Sequence, residues 1–172
     1  MKSKVILNII LAVILLTGCS YEDQTFTSIK LIKSPLIAGT PSYSSPEEIQ
    51  NSYFKDKEWN IVEEDNLAPD DPRPPFNFLT VSCSDYEHLG YLGNLTLVFF
   101  NNRLMVTRFF PQDFDGYKKA LRINGILLQD DREIQIMFST IGSSTSYKNE
   151  AFVDWVDVRL RAEVLEWVHR YS

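Results

Sequence analysis

The chain has 172 residues, 44% of them apolar, 23% charged and 13% aromatic, with a formal net charge of -6. That length can bury a core without disulfides or metals, and that composition excludes a disordered or collagen-like chain. The acidic balance also excludes nucleic acid as the expected partner, because phosphate binding needs clustered Lys and Arg.

Lys2 and Lys4 open the chain, and Val5 to Leu16 follow as 12 residues, apolar except for Asn8. A membrane-crossing helix needs roughly 20 apolar residues at about 1.5 Å of rise each, so this run is too short to span and has the length of a signal-peptide core. The run closes on Leu16-Thr17-Gly18-Cys19. Basic start, short apolar run and this tetrapeptide, in that order, resemble the precursor of a bacterial lipoprotein. The resemblance implies cleavage before Cys19 and acylation of that cysteine, palmitate included. Several acyl chains hold a protein stably where one holds it marginally, each buried CH₂ contributing roughly 0.8 kcal/mol. In such lipoproteins an Asp after the cysteine favours the inner membrane. Ser20 therefore implies the outer membrane, on its periplasmic side.

Residues 1–18 are then a signal peptide, 19–44 the lipidated cysteine and a Ser/Thr/Pro-rich tether, and 45–172 a single domain. Ile29, Leu31 and Ile32 could still form a short strand within the tether. Discarding 18 of 172 residues leaves 154, and the loss of Lys2 and Lys4 takes the net charge from -6 to -8. With Cys19 acylated, Cys83 has no intrachain partner. Period-two spacing puts it on one strand face with Leu79 and Val81, as a small buried thiol.

Ser45-Pro46-Glu47-Glu48 predicts a helix start, with Ser45 as N-cap, Pro46 at the first position and Glu48 completing a capping box. Ile49, Tyr53 and Phe54 give its apolar stripe, and the helix should end near 55–57. Trp59 to Val62 suggests a short strand. Glu63 to Pro75 is acidic and carries four prolines, which predicts an exposed loop. Its carboxylates lack the spacing of a calcium loop.

The clearest element is a hairpin, Leu95 to Phe100 and Arg103 to Phe110, joined by Asn101-Asn102 in a two-residue turn. Strict alternation pairs Phe99 with Leu104, Val98 with Met105 and Leu97 with Val106. One face then carries Leu95, Leu97, Phe99, Leu104 and Val106 as core. The other carries Val98, Phe100, Arg103, Met105 and Phe109. Asp113 caps a helix to Arg122 with Phe114, Tyr117 and Leu121 inward, and Asn124-Gly125 stops it. Glu133 to Phe138 alternates as a strand with Ile134, Ile136 and Phe138 on one face. A loop over 141–149 and a strand over Ala151 to Val156 follow. Asp157 caps a last helix with Leu160, Val164, Trp167, Val168 and Tyr171 inward. The expected class is α+β: an antiparallel sheet with a central hairpin at about 95–110 and helices packed on it.

The sequence holds no G-x-S-x-G elbow, H-E-x-x-H, C-x-x-C or phosphate-binding glycine loop. The nearest constellation is Asp85, Glu87 and His88, a candidate for divalent-metal binding or acid–base work, on a segment expected to be an exposed loop. His169 falls in the last helical turn, where the dipole favours a cation. The mixed hairpin face (Val98, Phe100, Arg103, Met105, Phe109) is the candidate partner-docking surface, since aromatics, Met and Arg are favoured at interface centres. A helix followed by a hairpin is similar to the small lipoproteins of the outer-membrane barrel-assembly machinery, which implies an envelope-assembly role; no residue is carried over from them. The expectation is a non-catalytic, lipid-anchored binding or assembly module with a basic protein partner and no cofactor beyond the lipid on Cys19. An immunity protein against a periplasmic toxin is the alternative. A hydrolase or metal-binding protein using Asp85, Glu87 and His88 is the third.

Overall fold

A computed structural model describes residues 32–126, 133–141 and 150–172. Ile32 to Ser172 belong to one compact unit. After a short helical turn at Ile37–Gly39, the elements are α1 (Pro46–Tyr53), β1 (Asn60–Asn66), β2 (Asn77–His88), β3 (Tyr91–Phe100), β4 (Arg103–Pro111), α2 (Phe114–Ile123), β5 (Ile134–Ile141), β6 (Glu150–Asp157) and α3 (Val158–Tyr171). The strands form a six-stranded sheet in the order β1-β2-β3-β4-β6-β5, with every neighbouring pair antiparallel. The α+β class expected from the sequence is the one observed.

Local chemistry explains the boundaries. Ser45 Oγ accepts the Glu48 N–H at 3.1 Å, and Pro46 sits where its missing N–H costs nothing. Asp113 accepts the Gly116 N–H at 2.9 Å to open α2, and Gly125 stops it at φ +71°. Asp157 accepts the N–H groups of Arg159 and Leu160 to open α3. Asn101 and Asn102 both take positive φ in the β3–β4 turn.

The sheet is covered on both sides. One face buries Leu95, Leu97, Phe99, Leu104, Phe109 and Trp155 under Leu36, Ile37, α1 and α2. Segment 32–44 is therefore not only tether: Leu36 and Ile37 are core, and the domain starts ahead of residue 45. The opposite face buries Phe100, Met105, Val106 and Val156 under Leu160 of α3.

Three expectations change. The β3–β4 ladder shifts between Val98 and Phe99, so Val98 lies opposite Val106 rather than Met105. A bulge lets Met105 and Val106 both face α3, and it moves Phe109 to the other side, where Thr107 also accepts the Ile37 N–H. Main-chain groups of Leu104 are taken up by Tyr43 and Ser44, which donate and accept at 3.0 and 2.8 Å. Secondly, β1 runs on to Asn66, so Glu63 to Asn66 are strand and not loop. Thirdly, the inward stripes are shorter than the spacing implies: Tyr53, Val168 and Tyr171 are exposed.

Candidate functional site

Asp85 to His88 are strand, not loop, because β2 continues to His88 through a bulge between Cys83 and Tyr86. Asp85 absorbs that bulge at φ +53°, a region Asp tolerates better than most residues. The consequence is a divergent arrangement. Glu87 is exposed, and Asp85 is exposed with its carbonyl accepting from Lys57 Nζ at 2.9 Å. His88 instead turns inward, edge-on to Phe109, Tyr117 and Trp155. Its Nδ1 lies 2.6 Å from the Tyr117 hydroxyl. Burial lowers the His88 pKa, so the ring is neutral near pH 7. Burial raises that of Tyr117, and it pushes Tyr86 up to about 12 with a contribution from Cys83. Among the described residues no three His, Cys, Asp or Glu side chains come together as a metal site.

His88 also lines a cavity of about 300 Å³ with Leu36, Ile126, Ile134, Ile136 and Trp155. Pro35, Ala38 and Gly39 complete the wall, and His88 carries the titratable side chain among these lining residues. A metal or acid–base site built from all three residues needs them to face the same space. Neither Asp85 nor Glu87 lines it.

The mixed hairpin face is not open either. Phe100 is 2% exposed and Met105 7%, both packed among Phe76, Phe78 and Leu160. Phe109 lies on the opposite face, against Tyr86 and Tyr117. Val98 is half-buried on the α3 side. Arg103 reaches back over Phe100 and Tyr43 and pairs with Glu163 at 2.6 Å. These five residues form the seat of α3 and a part of the main core, not a docking surface. Cys83 is a buried free thiol whose pKa burial raises, as its face assignment implied. Cys19 lies outside the described residues.

What composition alone did not localise is where the excess negative charge resides. β1 is exposed along all seven residues. Its root is held by Trp59, whose ring packs on Phe54 and Phe99. Beyond that root the strand leaves the core. Ile61 and Val62 are 66% and 62% exposed, and Glu63, Glu64 and Asp65 follow them. Asp56, Glu58 and Asp70 flank the strand in sequence. None of these six carboxylates forms an ion pair among the described residues. Some carboxylates elsewhere are matched, Asp154 with Arg108 at 2.8 Å, Asp157 with Arg159 at 2.5 Å and Asp71 with Arg73 at 2.7 Å, while Glu47, Asp85, Glu87 and Asp115 form no ion pair among the described residues but do not run consecutively. The signal for this site was present in the sequence as Glu63-Glu64-Asp65. The prolines after it predicted a loop and hid the strand.

No protein-family model matches the chain, and no curated protein matches it. Among the described residues no helix is long and apolar enough to cross a membrane.

Proposed function

We propose that the protein is a non-catalytic module, lipid-anchored through Cys19 at the periplasmic side of the outer membrane, that binds a basic protein. The observation that supports it best is the exposed run Glu63-Glu64-Asp65 on β1, three consecutive carboxylates that form no ion pair among the described residues. Unmatched carboxylates steer a cationic partner and select against acidic ones. Asp85, Glu87 and His88 lend an enzymatic reading no support, since they diverge.

The anchor is tested by replacing Cys19 with Ala and fractionating cells. Release from membranes is expected, and a variant that stays membrane-bound removes the anchor. The binding role is tested with a photoreactive residue at Glu64 and, as control, at Arg161 on α3. Adducts from position 64 to a protein rich in Lys and Arg, lost in high salt, are expected. Equal adducts from both positions, or an acidic partner, overturn the reading. The same edge suits an immunity protein, because a toxin's basic surface would meet it. Protection of cells from a co-expressed periplasmic toxin, lost in a Glu63→Lys/Asp65→Lys variant, selects that version.

A further inference from the structure

We propose that the basic partner docks by adding an extended segment to the open edge of β1 as a further strand. This rests on the basic-partner reading and specifies its geometry. β1 pairs with β2 on one side, and among the described residues no strand lies on its other side. A sheet edge presents a row of free N–H and C=O groups that an extended chain can satisfy, and alternate side chains then set specificity.

The register tells what those side chains meet. Ile61 lies opposite Val81 and Glu64 opposite Leu79, so both share the face of the main core. Glu63 lies opposite Thr80 and Asp65 opposite Phe78, so both share the α3 face. Val62 is the extra residue at the ladder shift between Ile61 and Glu63. Carboxylates therefore flank the edge on both faces within three consecutive residues. An incoming strand meets them with Lys or Arg at successive positions, and meets Ile61 and Val62 with apolar side chains. Opposite charges across a strand pair are favourable and like charges are not. A second copy of this chain is a poor occupant, because a register that overlaps the acidic triplets sets carboxylate against carboxylate. The seven residues span about 23 Å at roughly 3.3 Å each, enough for a seven-residue segment.

The probe is a nine-residue peptide with three consecutive lysines followed by two valines, flanked at each end by a pair of threonines, added to the full lipidated protein in neutral detergent. A second peptide carries N-methyl groups on alternate residues, keeping the charge and blocking the hydrogen-bonding edge. A third has glutamate for lysine. Strand addition predicts that the first peptide slows amide exchange in Asn60–Asn66 by tenfold or more, that N-methylation weakens binding at least tenfold, and that the glutamate peptide does not bind. Glu63→Lys/Asp65→Lys should reverse the preference between the lysine and glutamate peptides. Equal binding of the methylated peptide overturns strand addition and leaves the basic-partner reading standing. Equal binding of lysine and glutamate peptides, or no binding of either, overturns both.

Discussion

β1 and the junction of β6 with α3 are both strand segments rich in carboxylates, yet their carboxylates live differently. At the junction Asp157 is fully buried and held by Arg159, which also pairs with Glu133 at 2.9 Å and stacks over Tyr43. Ser34 hydrogen-bonds both Glu133 and Arg159, which ties the incoming segment to the start of α3. At β1 none of Glu63, Glu64 and Asp65 forms an ion pair among the described residues, and all seven strand residues are exposed. A buried carboxylate that lost its partner would be costly, so the junction must be matched for the fold to form. An exposed carboxylate costs little, so the edge is free to serve recognition and to resist self-association. Charge at the first place is structural, and charge at the second is available.

The comparison can be broken from the core side first. Phe100→Ala should cost about 3–5 kcal/mol in a denaturant titration, because the ring is buried against Phe76, Phe78 and Leu160. Ile61→Ala on the exposed edge should stay within about 0.5 kcal/mol. A small effect at Phe100 would show that its face is open after all.

Asp157→Ala comes next, at about 2–3 kcal/mol, since it removes the α3 cap and strands Arg159. Burial alone would raise this carboxyl's pKa, but hydrogen bonds from Arg159 and Ser42 hold it below the usual carboxylate range. A depressed folded value means that the unfolded chain takes up the extra proton as pH falls. The contribution is present above about pH 4 and disappears below it. Acid unfolding of the Asp157→Ala variant should therefore lose this component relative to the parent.

His88 gives the smaller signal, of the same sign but at higher pH. Its folded pKa is lowered by burial, so the unfolded chain binds its proton first as pH drops below about 6.5. Stability should decline from pH 7 toward pH 5, and His88→Gln should flatten that slope. An unchanged slope would show that the ring is solvated rather than packed on Tyr117 and Trp155. Glu63→Lys should barely move stability, and its effect should appear in partner binding alone.

Elements whose signals are local were legible from residues alone. Ser45, Asp113 and Asp157 each carry the hydroxyl or carboxylate that a helix start needs, and Asn101-Asn102 carries the backbone freedom of its turn. The alternation of Ile134, Ile136 and Phe138 likewise reported a buried strand face, and all three pack on the main core. Leu79, Val81 and Cys83 did the same for β2.

What needed the folded chain was anything set by a neighbour. Strict alternation placed Val106 with Leu104 and Phe109 with Phe100. The bulge that reverses both is stabilised by Tyr43 and Ser44, some sixty residues earlier, and no local pattern encodes that contact. The role of Asp85 to His88 turned on a second bulge, which sent the imidazole inward and the carboxylates out. The state of Glu63 to Asp65 turned on pairing with β2. Caps and turns are intrinsic to a few consecutive residues, so composition and spacing determine them. Register, burial and ion pairing are properties of two chain segments meeting, and only tertiary packing decides which segments those are.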